Sequence, residues 1–218
     1  MIDMEAIEYS VAQPSDAKEV VQLLAKVFSE SDPPAVAMDL SFDEMKGFLE
    51  LFVPDVLLQE LTIVARSKED GKVAGVMLSD DFALPPALAP SQISPKLMPI
   101  LSMLEVLDEQ FRTGKEISAG QFVHFFMLGV ASHFAGQGIA QGLVQACVDN
   151  GSRKGYSAAL TEATGRVSQH IFRKNGFVDR VSVSYTDFLH EGKAVFAAIR
   201  GHAAAILMER PLGPLKSQ

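Results

Sequence analysis

Cysteine, tryptophan, basic residues and long apolar runs are scarce or absent in this chain. Its 218 residues include one cysteine, Cys147, and no tryptophan. A single thiol cannot close an internal disulfide, which is typical of proteins from reducing compartments. The apolar stretches are too short to cross a bilayer, and the opening Met-Ile-Asp-Met-Glu has no positively charged leader. The sequence therefore predicts a cytoplasmic protein that does not act at a membrane.

An excess of positive charge is also missing. The chain carries 19 lysines and arginines against 27 aspartates and glutamates, which gives a formal net charge of −8. Without a basic stripe, nucleic acid is not expected as a partner, whereas an acidic surface favours the approach of a cationic amine. Cysteine and histidine nowhere occur at the spacing of metal ligands, so no metal site is expected.

What the chain does contain is a strand, a glycine loop and a helix in succession. The apolar run 125–131 predicts a strand buried on both faces. Gly136 and Gly138 follow it, and then Ile139, Leu143 and Cys147 recur at helical spacing. Glycines let backbone N–H groups approach a phosphate, and a helix N-terminus adds partial positive charge. The unit therefore predicts an anion site.

Two kinds of nucleotide ligand use such a loop, and the spacing separates them. A dinucleotide fingerprint has its glycines directly after the strand, but here residues 131–135 intervene. The segment instead resembles the acyl-CoA loop of the GNAT superfamily of N-acetyltransferases, [Gln/Arg]-x-x-Gly-x-[Gly/Ala]. Gly138 and Ala140 match that pattern, while Ala135 stands where the family has Gln or Arg. A glycine turn required only for packing is the alternative.

The rest of the chain predicts alternating strands and helices. We expect a first helix capped by Ser15 or Asp16. A second helix is expected over 41–53, with a capping box from Ser41 to Glu44. The proline-rich passage over 84–95 is expected to be irregular. Further helices are expected over 97–111 and 167–175, the latter ended by Gly176. The predicted strands are 7–12, 61–66, 73–78, 158–161, 178–187 and 203–208. The fold class is thus α/β (α+β), a mixed and strongly twisted sheet with helices on both faces.

This order of elements is similar to the GNAT fold along nearly the whole chain. The resemblance implies one acyl-CoA N-acyltransferase domain over 1–218, with a helical insert at about 83–119. It also implies a V-shaped splay between two parallel strands, in which acetyl-CoA lies as the co-substrate. The implied coenzyme residues are Met127, Leu128, Gly129 and Val130 on the strand, and Ala135, Gly136, Gln137, Gly138, Ile139, Ala140 and Gln141 on the loop and helix start.

Three further stretches resemble the insect arylalkylamine (dopamine-type) branch of the superfamily. Phe28-Ser-Glu-Ser-Asp-Pro-Pro is similar to its Phe-x-x-x-Glu-Pro-Leu stretch, which places Asp32 at the position of the catalytic base. The stretch from Glu162 to Phe177 resembles its hydroxyl-bearing turn and helix and places Thr164 and Ser168 at the family's serines. The C-terminal stretch from Tyr185 to His202 resembles its last hairpin.

The residues leave more than one assignment of the chemistry open. Asp32 is shorter than the family's glutamate and also suits a helix-ending turn. Glu30, His124 or water are the alternative bases, while Thr164 and Ser168 also qualify as helix-capping residues. The tyrosine that serves as general acid in many members is replaced by Phe172.

The resemblance implies transfer of an acetyl group from acetyl-CoA to a primary amine of a small molecule, by direct attack without a covalent intermediate. A polyamine, an antibiotic or a protein amine is the alternative acceptor. A non-catalytic acyl-CoA-binding module is the alternative from another class. Either a monomer or a homodimer is compatible with the sequence.

Overall fold

The computed structural model describes residues 6–213, which form one seven-stranded sheet in the order β1-β2-β3-β4-β5-β7-β6. All neighbouring strands pair antiparallel except β4 and β5, which are parallel. The open mixed sheet confirms the predicted fold class. The strands are β1 (Ile7–Val11), β2 (Ile63–Ser67), β3 (Val73–Asp81), β4 (Phe122–Val130), β5 (Ala158–Ala163), β6 (Val178–Ser184) and β7 (Ala204–Pro211).

Helices cover both faces of this sheet and bury two apolar clusters. One cluster joins the sheet to the first five helices, and the other joins it to the last two. The helices are α1 (Ala17–Ser31), α2 (Pro33–Ala37), α3 (Phe42–Glu50), α4 (Val53–Leu57), α5 (Met98–Arg112), α6 (Ile139–Arg153) and α7 (Arg166–Lys174).

Strands β4 and β5 separate soon after they meet. Their parallel pairing extends only from Phe122↔Ala158 to His124↔Leu160, although both strands continue beyond. Just past that point, Leu78 faces Met127 and Ser79 faces Phe125, so Phe126 is the extra residue of a β-bulge. A bulge bends its strand and increases the local twist. The bend and the short pairing open a wedge between the two strands.

Most predicted elements are present, with differences at their ends. The helix predicted over 41–53 ends at Glu50, and the separate helix α4 follows it. The expected Ser41–Glu44 capping box is confirmed, because Ser41 Oγ accepts from the Glu44 N–H at 3.2 Å and Glu44 Oε2 accepts from the Ser41 N–H at 2.9 Å. The proline-rich passage contains one 3-10 turn, over 90–92.

The start of α1 differs from the prediction. A 3-10 turn over 14–16 precedes the helix, and the Asp16 side chain caps no N–H of α1. Its carboxylate accepts from the Gln13 N–H at 2.8 Å and pairs with Arg66 at 2.8 Å. Asp16 is therefore the N-cap residue of α1, one of the two predicted, but its side chain does not cap the helix because it is engaged by Gln13 and Arg66. The partner Arg66 is distant in sequence and cannot be seen from local spacing.

Candidate functional site

A cavity of about 660 Å³ occupies the wedge between β4 and β5. Helices α1, α5, α6 and α7 close its sides. The same cavity extends from the glycine loop (135–138) to the inner face of α5. Most of its wall is apolar. The polar or charged side chains along it include Asp32, Thr161, Glu162, Thr164, Ser168 and His202.

The glycine loop ends in free backbone donors. Gly136 and Gly138 have φ angles of +76° and +82°, a region that favours glycine. An added Cβ at either would meet nothing within 4 Å, so packing does not explain the glycines there. Within residues 6–213, the backbone N–H groups from Gly136 to Gln141 donate to no acceptor. Together with the N-terminus of α6 they form an electropositive concavity.

Gly142, one turn into α6, serves a different purpose. A Cβ there would lie 2.2 Å from the hydroxyl oxygen of Tyr9. This glycine therefore lets β1 and α6 pack closely. The interpretation of the glycines as packing residues holds for Gly142 and not for Gly136 or Gly138.

Most of the residues predicted to bind the coenzyme line this cavity. Gly129 and Gln137 are the two that do not. At Gly129 an added Cβ would lie 3.0 Å from Leu24, so this glycine allows α1 to approach β4. The lining residues are Met127, Leu128, Val130, Ala135, Gly136, Gly138, Ile139, Ala140 and Gln141.

Asp32 lies on the cavity wall between α1 and α2. Its extended backbone ends α1 and caps α2, and its Oδ2 accepts from the Ala35 N–H at 3.1 Å. The Thr164 hydroxyl donates to Oδ1 at 2.5 Å. Burial raises the pKa of Asp32 to about 6, although both hydrogen bonds act to lower it. The residue is thus both a capping residue, as the local pattern suggested, and a carboxyl group that titrates near neutral pH.

Thr164 connects Asp32 to the C-terminal half of the sheet. While its hydroxyl contacts Asp32, its carbonyl oxygen accepts from the Tyr185 hydroxyl at 2.6 Å. Tyr185 is 1% exposed. Its burial raises its pKa, and the negative charge of Asp32 adds a smaller increase. The hydrogen bonds from Tyr185 to Thr164 and from Thr164 to Asp32 therefore hold the Asp32 carboxylate in place.

The other predicted residues have varied positions. Ser168 lines the cavity, but its hydroxyl donates to the Gly165 carbonyl at 2.9 Å within the first turn of α7. Glu30 is exposed and lies outside the cavity lining. His202 accepts from the Arg166 N–H at 3.0 Å. Phe172 also reaches the cavity wall and packs on Phe177 with ring centroids 5.0 Å apart.

A buried group of ionisable side chains lies beside the cavity. We call Asp80, His124, Glu162 and Asp108 the His124 cluster. His124 contacts Asp80 Oδ1 through Nδ1 at 2.9 Å and Glu162 Oε2 through Nε2 at 2.6 Å. Asp108 of α5 lies close enough to Glu162 for each carboxyl group to shift the pKa of the other. Glu162 is 9% exposed and lines the cavity.

The charges within the His124 cluster are unequal. Burial acts to lower the pKa of His124, but Glu162 and Asp80 outweigh it and raise the pKa well above its usual range. Burial raises the pKa of Glu162, yet the adjacent imidazolium brings it below its usual value. Burial and the charge of Glu162 raise the pKa of Asp108 to about 8. At neutral pH His124 is therefore an imidazolium, Glu162 a carboxylate and Asp108 a carboxylic acid.

Sequence reasoning found His124 but missed its three partners. A signal for them exists, since Asp80 and Glu162 are acidic residues within otherwise apolar strands. Charges in buried strands require partners. Within the described part of the chain, no three or more His, Cys, Asp or Glu side chains are arranged to hold a metal ion.

Comparison with known proteins gives one family match. The family model for the acetyltransferase (GNAT) family matches residues 31–177. Among the helices of residues 6–213, none has the length and apolar character needed to cross a membrane.

Several solved structures share the fold. The C-terminal condensation domain of Ebony, in complex with beta-alanyl-dopamine, is 15% identical with a TM-score of 0.87, covering 94% of this chain and 98% of that one. Arylalkylamine N-acetyltransferase 2 from Aedes aegypti is 21% identical with a TM-score of 0.78, covering 95% and 99%. The polyamine N-acetyltransferase of Drosophila melanogaster is 15% identical with a TM-score of 0.73, covering 94% and 100%.

Proposed function

Because the chain belongs to the acetyltransferase (GNAT) family, we propose that it transfers an acetyl group from acetyl-CoA to a primary amine of a small molecule. The observation that carries this proposal is the single cavity that joins the free N–H groups of the glycine loop to the Asp32 carboxyl group. One end suits a pyrophosphate and the other suits a group that must lose a proton.

The donor end favours a coenzyme with a long arm. We place the pyrophosphate on the N–H groups from Gly136 to Gln141 and the pantetheine arm along β4 from Met127 to Val130, in the wedge that β5 leaves open. This arrangement makes residues 1–218 a single acyl-CoA N-acyltransferase domain, in which the segment of about 83–119 containing α5 is an insert. The acidic chain with one cysteine suits a cytoplasmic monomer or homodimer that binds neither nucleic acid nor membrane.

The chemistry requires that the amine lose one proton before its nitrogen can attack and a second proton as the amide forms. A primary amine has a pKa of about 10, so only about one molecule in a thousand is neutral at pH 7. In the proposed reaction the amine nitrogen attacks the thioester carbon, the C–S bond breaks, and coenzyme A leaves as a thiolate. Asp32 takes the proton that frees the amine lone pair, and the proton lost as the amide forms ends on the leaving thiolate. The Leu128 N–H stabilises the oxyanion, and the Ser168 hydroxyl turns from the Gly165 carbonyl, its partner in this structure, to the thiolate.

Asp32 has the properties of such a base. A general base works best when its pKa lies near the operating pH, and the pKa of Asp32 is raised to about 6. Thr164 holds the carboxylate in place through its 2.5 Å hydrogen bond. We therefore assign the base to Asp32 and its orientation to Thr164.

The acceptor end favours an amine with an apolar body. Phe28, Phe48, Leu101, Leu104 and Phe126 line it, which suits an arylalkylamine better than an extended polycation. The Aedes aegypti structure bears an arylalkylamine N-acetyltransferase name, and the Drosophila melanogaster structure a polyamine one. Both amine classes therefore belong in any test.

The deciding experiment measures free thiol released from acetyl-CoA with a panel of arylalkylamines, agmatine and polyamines. We expect turnover with at least one arylalkylamine. Asp32→Asn should lower kcat/KM at pH 7 by about 10²- to 10⁴-fold, with unchanged affinity for coenzyme A. Tight binding of coenzyme A without thiol release for any amine would identify a non-catalytic acyl-CoA-binding module.

A further inference from the structure

Helix α5 forms the roof of the inner part of the cavity. Ile100, Leu101 and Leu104 point their side chains into the lining. Asp108 lies four residues beyond Leu104 and therefore on the same face of the helix. Asp108 thus continues the line of apolar residues that faces the cavity, and its carboxyl group lies close to Glu162 of β5.

The contact between Asp108 and Glu162 requires a proton. Asp108 Oδ1 and Glu162 Oε1 are both buried, and within residues 6–213 no donor reaches either oxygen. Two neighbouring carboxylates that are both ionised would repel each other, whereas one shared proton would give both oxygens a partner. Glu162 already faces the His124 imidazolium through its other oxygen, so the shared proton belongs to Asp108, which donates to Glu162.

The other charged groups around this contact are engaged elsewhere. Asp80 lies behind His124 on β3. Arg112 donates to the Phe82 carbonyl at 2.7 Å and lies over the Phe82 ring at 4.0 Å. On the part of the sheet where α5 packs against β6 and β7, Glu209 pairs with Arg180 at 2.7 Å. The Asp108 proton therefore joins α5 to β5 at this point, in addition to Met103, Leu107 and Phe111, which pack the helix onto the core.

We propose that Asp108 is a positioning residue for the amine site, because its carboxylic acid donates to Glu162 and so holds α5 over the amine. This inference rests on the proposed function. Ionisation of Asp108 is easier when α5 has moved away than when it is in contact. Rising pH therefore favours the displaced helix, and the amine loses the apolar wall of Leu101 and Leu104.

The pH range follows from linkage. The pKa of Asp108 is raised to about 8 in the folded protein, so protonated Asp108 stabilises the closed structure at low pH. This contribution is lost as pH rises towards about 8 and changes no further above that value. Asp108→Asn keeps a donor of similar shape that does not titrate, and it should hold α5 closed at every pH.

The experiment compares wild type, Asp108→Asn and Glu109→Gln from pH 6 to 9.5. Glu109 is the exposed neighbour on α5, so its variant removes one acidic group without touching the contact. The quantity compared is the KM of wild type for the amine divided by the KM of Asp108→Asn for the same amine. Ionisation of the amine affects both values equally and therefore drops out of this ratio. We expect this ratio to rise by up to about tenfold per pH unit below pH 8 and then to level off. Acetyl-CoA KM should not change.

Thermal unfolding provides a measurement that needs no substrate. The Tm of wild type should fall relative to Asp108→Asn between pH 6 and 8, while Glu109→Gln should follow wild type. Asp108→Ala, which lacks a donor, should raise amine KM at every pH. Parallel Tm curves, or a flat KM ratio in a protein that turns over, would overturn the inference while the proposed function stands. If no amine of the panel is turned over, the proposed function is wrong. The role of Asp108 at the amine site is then wrong as well, whatever the Tm curves show.

Discussion

Thr164→Val tests the proposed base through its neighbour. Valine keeps the shape of threonine but removes the hydroxyl that donates to Asp32 Oδ1 at 2.5 Å. This hydrogen bond lowers the pKa of Asp32 against the larger effect of burial. Its loss should therefore raise the pKa of Asp32 further above about 6, because the ionised carboxylate loses its best donor.

The size of the change follows from the strength of the bond. A hydrogen bond to a charged group contributes about 1.5–3 kcal/mol, and one pKa unit corresponds to about 1.4 kcal/mol. The pKa of Asp32 should thus rise by about one to two units. Since the base acts when deprotonated, the acidic limb of the kcat/KM profile should move to higher pH by the same amount. At pH 6 activity should fall about fivefold for a shift of one unit, with little loss at pH 9.

The assay is the pH dependence of kcat/KM from pH 5 to 9.5, measured by thiol release with a fixed amine. Thr186→Val is the matched control, because the Thr186 hydroxyl also donates to an aspartate, Asp187 Oδ1 at 3.2 Å, but on the surface. Its profile should match wild type. An acidic limb that stays in place in Thr164→Val would refute Asp32 as the titrating base.

Two further predictions concern the ends of the cavity. Coenzyme A should raise the Tm of the wild type, and Gly138→Glu should abolish this rise because the glutamate adds bulk and negative charge at the phosphate position. The control Gly71→Glu, also at a glycine of positive φ with open space around it, should keep the rise. NAD should not raise the Tm of the wild type. A Tm rise with NAD and none with coenzyme A would contradict the assignment of the loop. Asp32→Asn should stabilise the protein above pH 6 by at most about 3 kcal/mol, since the raised pKa of Asp32 means that ionisation opposes folding. This gain should disappear near pH 4 in chemical unfolding, and a gain independent of pH would contradict the raised pKa.

The fold was predictable because its signals are local. Apolar strands, the Ser41–Glu44 box and the glycine that ends α7 each depend on residues close in sequence, and all three are confirmed. The end of α3 was misplaced because residues 51–57 keep the apolar character of a helix, while the chain turns and restarts as α4. Pro54 in the first turn of α4 marks that restart.

The site was predictable only where a motif lies in one stretch. The glycine loop has such a motif, and the structure gives it free donors. The pairing of Thr164 with Asp32 spans 132 positions and depends on how α1 and β5 pack. Partners of His124 come from three further elements, so no local pattern connects them. These contacts are products of the tertiary fold.

The ionisable groups in and beside the cavity are separated by the environment that the fold gives them. Glu30, the acidic alternative to Asp32, is exposed and lies outside the cavity lining. His124 already holds both ring protons between Asp80 and Glu162, so it has no lone pair with which to accept another. Glu162 reaches the same cavity but is kept anionic and weakly basic by that imidazolium. Within residues 6–213, Asp32 has no cation beside it, only two neutral donors and a desolvating wall. Where neighbouring acids are pushed to opposite pKa values, the raised one is suited to proton transfer. The His124 cluster therefore favours Asp32 as the base by holding the competing groups in their charged forms.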